Sequence, residues 1–225
     1  MSEMKARRWF PWAALLALAP LCRADAPAWP GSFVGRLEAL ALMQEASLEI
    51  LGDTSATAAL ERWCASHHLA EAPRVAATVL STKDPGADDA LRARLEVGAE
   101  EPLRYRRVAL RCGDVVLSIA ENWYVPARLT DAMNAALATS DTPFGKVVRP
   151  LDPYRRTYRI AQLWSPLPED WSRATPSEEG TGALVIPAAL FEHRALLYTR
   201  AHVPFAEVHE TYQRELLGAP PAGPP

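Results

Sequence analysis

The chain has 225 residues, 49% of them hydrophobic, and a net charge of −3. That length and apolar content suit one domain with a full core and exclude disorder for its bulk. The slightly acidic balance gives no reason to expect nucleic acid as a partner, and no segment beyond the N-terminus is long and apolar enough to span a bilayer.

In chain order, Lys5, Arg7 and Arg8 precede an apolar run from Trp9 to Leu21, with small residues at Ala24 and Ala26. This is the pattern of an export signal, residues 1–24, cut after Ala24; a cut after Ala26 would set Pro27 beside the scissile bond. An uncleaved N-terminal anchor is the alternative. The expected location is periplasmic or secreted, with no stable membrane span after processing. Residues 25–217 are expected to form a single domain, and 218–225 a disordered Pro-rich tail.

Val34, Leu37, Leu40, Met43 and Leu48 recur near helical spacing, which predicts a helix over 32–51. Thr54 or Ser55 can cap a second helix over 56–67 that buries Leu60 and Trp63. Residues 74–80 read as a short strand, and 83–96 as loop or weak helix. Strands over 102–112 and 115–126 flank Gly113-Asp114, a two-residue hairpin turn. Thr130 caps a short helix through Leu137, 141–156 is irregular, and 158–164 reads as a strand. A second hairpin is expected over 183–191 and 195–203, turning at Glu192-His193-Arg194. A last helix follows, with Phe205, Val208, Tyr212 and Leu216 on one face. Terminal helices around hairpin-joined strands predict an α+β fold, an antiparallel β-sheet flanked by helices.

Chemistry is less marked. GxGxxG, P-loop, GxSxG and HExxH motifs are absent, so no cofactor and no metal is expected and catalytic residues stay unassigned. His67, His68, His193, His202 and His209 are scattered, and their default place is surface or core. Cys64 and Cys112 could pair in an oxidising compartment. One falls on a helix and the other at a hairpin tip, and nothing brings them to the separation of about 6 Å that a bridge needs. They are expected not to be obligatorily bridged.

A regular hairpin from Gly113-Asp114 would set Arg106 opposite Glu121 on an apolar face. The other face would hold Tyr105, Arg107, Ala109 and Arg111 opposite Asn122, Ala120, Ser118 and Val116. Arg107 would then stand among small residues, the shape of an anion-site floor; an arginine on a solvated sheet face is the other reading.

The run Arg107-Val-Ala-Leu-Arg-Cys-Gly-Asp, then residues 120–126, Thr142-Pro-Phe-Gly145, and Leu196-Leu-Tyr-Thr199 leading to Val203-Pro204, resembles chorismate pyruvate-lyase over roughly residues 100–205. That family cleaves chorismate to 4-hydroxybenzoate and pyruvate in ubiquinone biosynthesis, without metal or organic cofactor, on a sheet flanked by helices. The resemblance implies that Arg107 takes the ligand carboxylate and that Phe144 and Gly145 line the site. Where the family has a Thr-Glu pair in its last strand, this chain has Thr199-Arg200, a charge reversal that removes an acid or base. Glu207 and Glu210 are the nearby carboxylates that could replace it. Strand alternation sets Tyr198 and Arg200 on one face, and the resemblance implies that Arg200 and Arg107 share one space. Two guanidiniums there would select a small aromatic or dicarboxylic acid. The open readings are a lyase, an exported binding module for a small organic anion, and a partner-binding domain without ligand. The oligomeric state is not set by the sequence.

Overall fold

A computed structural model describes residues 28–173 and 182–220. The expected export signal, residues 1–24, and residues 221–225 of the expected tail lie outside the described residues. The first helix, α1 (Phe33–Leu51), starts where the Ser32 hydroxyl accepts the Gly35 N–H at 3.2 Å. Ala39, Leu40, Met43, Ala46 and Ile50 form its buried stripe. Helix α2 (Ala56–Ser66) is capped by Ser55 and buries Leu60, Trp63 and Cys64; the Trp63 indole donates to the Leu216 carbonyl at 2.9 Å. After strand β1 (Val75–Ser81) comes the short α3 (Asp89–Leu95).

Strands β2 (Arg104–Cys112) and β3 (Val115–Tyr124) form the expected hairpin about Gly113-Asp114. Gly113 has φ 56°, a conformation that costs glycine nothing. Thr130 caps α4 (Asp131–Thr139), and one turn, α5 (Phe144–Val147), follows Pro143. The remaining strands are β4 (Tyr154–Gln162), β5 (Ala189–Tyr198) and β6 (Pro204–Gln213). All pair antiparallel in the order β1-β2-β3-β6-β5-β4. Helices α1 and α2 pack on one face, and α3 partly covers the other through Leu91, Leu95, Tyr105, Trp123 and Leu196. The fold is α+β with an antiparallel sheet flanked by helices, as expected.

Three expectations are corrected. The hairpin turning at Glu192-His193-Arg194 is one unbroken strand, β5; the reversal comes at residues 199–203, where the Thr199 N–H donates to the Val203 carbonyl and His202 has φ 61°. The charged triplet misled because His193 points inward, fully buried, while Glu192 and Arg194 pair with each other. The expected last helix is β6. It is an inner strand buried on both faces, so Ala206, Val208 and Tyr212 lie beneath one layer and Glu207 beneath the other. The apolar-polar alternation Ala206-Glu207-Val208-His209 is broken at Glu210, a buried carboxylate on the face of Val208 and Tyr212, and Phe205, Val208, Tyr212 and Leu216 then fall at helical spacing. Finally, Cys64 and Cys112 are joined by a disulfide, their Cα atoms 6.5 Å apart. Helix α2 packs against the end of β2, a long-range contact that local sequence does not display.

Candidate functional site

The site depends on an irregularity in the first hairpin. Arg111 pairs with Val116, but Leu110 pairs with Ser118, so Leu117 is an extra residue. Such a bulge shifts every later pair by one and turns the side chains of one strand over relative to the other. Ser118, Ala120 and Asn122 therefore share a face with Arg106, Val108 and Leu110 rather than with Arg107. Arg106 is 1% exposed, and its guanidinium donates to the carbonyls of Ser140 (2.8 Å) and Thr142 (3.1 Å). Burial lowers its pKa. This arginine anchors the segment that leads into the Thr142-Pro-Phe-Gly145 turn. Arg107 is exposed on the opposite face, paired in register with Glu121.

Above the face that carries Val108, Leu110, Ala120, Leu197 and Val208 lies a cavity of about 390 Å³. This is the size range of small-ligand sites. Its wall is the start of α2, Ser55 to Ala58, together with Phe144 and Gly145 of α5. The two walls nearly touch: a Cβ on Gly145 would stand 3.1 Å from the Ser55 hydroxyl and 3.3 Å from that of Thr57. Ser55 caps the Ala58 N–H, which leaves the N–H groups of Ala56 and Thr57 without an acceptor among the described residues. A helix start of this kind favours negative charge. Asp53 adds a carboxylate nearby, but it is held by the Ser55 N–H (2.7 Å) and by Arg62 (2.7 Å).

Cations complete the mouth. Lys146 is committed to Glu61 and to the Val75 carbonyl. Arg149 is exposed at the rim. Arg200, expected inside, lies in the turn after β5, where it binds Asp152 at 2.7 Å with side chains 67% and 72% exposed. That hydrogen bond lowers the Asp152 pKa.

The floor is polar at two places. Arg155 reaches from β4 to the Glu210 Oε2 at 2.6 Å, both side chains under 10% exposed, and the Tyr212 hydroxyl donates to the same oxygen at 3.0 Å. Burial opposes the Arg155 charge, but the adjoining carboxylate outweighs it and raises the pKa. Removing either partner would strand a buried charge, a cost of about 3–5 kcal/mol. Asn122, 3% exposed, has an Oδ1 without a partner among the described residues. Beside Glu210 on β5, His193 meets the Ser47 hydroxyl of α1 at 2.9 Å, and its Nδ1 has no partner there.

Of the residues singled out from the sequence, Phe144 and Gly145 line the cavity, and Arg107, Arg200 and Tyr198 do not. Arg107 and Arg200 do not face a common space. The bulge displaces the first, and the chain reversal places the second outside the sheet. Tyr198 stacks on Tyr154 (5.1 Å, 9°) and packs with the cluster beneath α3. Glu210 is in the cavity, whereas Glu207 is buried on the far face, held by Arg94 (2.6 Å), Tyr158 (2.8 Å) and His209 (2.7 Å). Sequence reasoning missed Arg155, hidden in a stretch read as irregular, and the α2 start, whose cap was seen but not its neighbour. It did place Asn122, Ala120 and Ser118 together on one face. Among the described residues, no group of three His, Cys, Asp or Glu side chains is arranged to hold a metal ion.

No protein-family model matches the chain. Two solved structures share its outline at low identity. PhnF from Mycobacterium smegmatis is 13% identical with a TM-score of 0.47, covering 73% of this chain and 66% of its own. The effector domain of PhnF from the same organism is 12% identical with a TM-score of 0.45, covering 72% and 90%. At those values neither defines an activity here. An uncharacterized protein of Sinorhizobium fredii, y4mC, is 41% identical over 213 residues, 92% of this chain and 90% of that protein. Identity at that level over nearly the whole of both sequences makes this chain a member of the y4mC family.

Proposed function

We propose that the protein is an exported binding protein for a small organic anion, an aromatic or cyclic carboxylate, held in the cavity between α2, α5 and the sheet. One observation carries the reading. The uncapped N–H groups of Ala56 and Thr57 and the exposed Arg149 meet an apolar floor of Val108, Leu110, Ala120, Leu197 and Val208 in a space of about 390 Å³. An anion at the mouth is met by positive potential on two sides, while a ring rests on the floor and against Phe144. Export is supported by the basic-apolar leader and by the buried Cys64–Cys112 disulfide, a bond that persists in oxidising compartments. Titration calorimetry with benzoate is the test. Arg149→Ala should weaken binding severalfold, and no heat with benzoate or its ring-substituted relatives would end the proposal.

A second reading is cleavage of chorismate to 4-hydroxybenzoate and pyruvate. Glu210 favours it, because a buried carboxylate lines the cavity even though the sequence position of the family's acid holds Arg200. Release of 4-hydroxybenzoate from chorismate by the purified protein, lost in Glu210→Gln, is the expected result. No turnover by the wild type would leave binding alone.

A further inference from the structure

The binding reading says where a carboxylate sits; the cavity floor says what the other end of the ligand must be, and this inference rests on that reading. Arg155 and Glu210 neutralise each other. Only the Glu210 Oε2 is used, by Arg155 Nη2 and by the Tyr212 hydroxyl. Glu210 Oε1 and Arg155 Nη1 have no partner among the described residues, so the pair presents an unused acceptor beside an unused donor. Asn122 adds a buried Oδ1 without a partner among the described residues. Its neighbour across β6 is Val208, and Glu210 lies opposite Ala120, so the amide and the ion pair are diagonal neighbours on one face. The spare polar atoms of Asn122, Glu210 and Arg155 thus flank the small side chain of Ala120.

A buried amide that meets neither protein nor ligand costs desolvation with no return. An inner carboxylate would satisfy the donors but would face Glu210 with like charge. A methyl or bare ring edge would leave every one of these atoms unpaired. We propose that the inner end of the ligand is an uncharged group with donor and acceptor side by side, a carboxamide. Its carbonyl takes the Arg155 N–H and its NH₂ gives to Glu210 Oε1, while the Asn122 amide reads the other edge. The ligand class is a monocarboxylate with a distal carboxamide rather than a dicarboxylate.

The test compares 4-carbamoylbenzoate, terephthalate and 4-methylbenzoate, which share a ring and one carboxylate, by titration calorimetry on the purified protein. 4-Carbamoylbenzoate should bind at least tenfold more tightly than either of the others. Asn122→Leu, which replaces an unpaired amide by a side chain of similar size, should narrow that gap severalfold. Glu210→Gln should shift preference toward terephthalate by leaving Arg155 unbalanced. Equal affinity for the three acids, or tightest binding of terephthalate to the wild type, overturns the carboxamide inference and leaves a carboxylate site. Absence of binding by all three removes the carboxylate site, and the inference with it.

Discussion

Reducing the Cys64–Cys112 bridge should cost about 4 kcal/mol of unfolding free energy. The two cysteines are 48 residues apart, and the segment between them contains β1, α3 and β2. In the chain-entropy description, closing a loop of that length removes about 14 cal/mol/K from the unfolded ensemble, or about 4 kcal/mol at 25 °C. For a domain of this size the melting midpoint should fall by roughly 8–16 °C. The assay is urea unfolding of wild-type protein, oxidised or held reduced with a phosphine, so that the sequence is identical in both arms. The reduced protein should also show a larger denaturant slope, since its unfolded chain exposes more surface. A loss below about 1 kcal/mol would show that the loop is already ordered in the unfolded state and that chain entropy is not what the bridge removes. Two free thiols by mass spectrometry in protein purified without reductant would refute the bridge itself.

Burial depresses the His193 pKa to about 4. The unfolded chain takes up this proton near 6.5, so the stabilisation is complete above that pH and is lost as pH falls to about 4, a change of about 3 kcal/mol. Unfolding curves across this window should show the slope, and His193→Phe should flatten it. Burial pushes the Glu207 carboxyl up, but hydrogen bonds from His209, Arg94 and Tyr158 hold it at about 2. Its contribution should persist above pH 4.5 and vanish as pH falls through 2; a Glu207→Gln variant tracked by far-UV circular dichroism should lose that acid dependence. Arg106→Met should destabilise by about 2–4 kcal/mol in urea titrations, by freeing the carbonyls at 140 and 142 and emptying a buried site. Arg107→Ala and Arg200→Ala should leave the midpoint where it is, because both side chains stand in solvent; a large loss from either would contradict their placement.

Local rules read much of this molecule correctly. Ser55 and Thr130 announced helix starts because a capping hydroxyl acts within three residues. Gly113-Asp114 announced the hairpin because φ above zero is a property of the residue itself. The errors arose where geometry is set at a distance. The bulge at Leu117 carries no glycine or proline to mark it, yet it exchanged the roles of Arg106 and Arg107 and moved the supposed anion binder to the wrong side of the sheet. Strand β6 looked helical because the buried carboxylate of Glu210 interrupts the apolar face of Ala206, Val208 and Tyr212, while Phe205, Val208, Tyr212 and Leu216 fall at helical spacing. The disulfide and the Arg155–Glu210 pair join residues 48 and 55 positions apart, beyond the reach of any periodic pattern.

Strand β6 has a further consequence for how the molecule assembles. Sixth in chain order, it is fourth in the sheet, between β3 and β5. Its pairing with β5 is local, but its pairing with β3 joins residues about ninety positions apart, a closure that comes late and slowly. Before that closure the chain can hold only two meanders, β1-β2-β3 and β4-β5-β6, each with half of the eventual cavity floor. Ala120 and Asn122 belong to one and Arg155, Val208 and Glu210 to the other. Any ligand that touches both halves is therefore a clasp on the seam. It should slow the parting of β3 from β6 more than any other opening, and amide exchange along that seam should report its presence before any global measure of stability does.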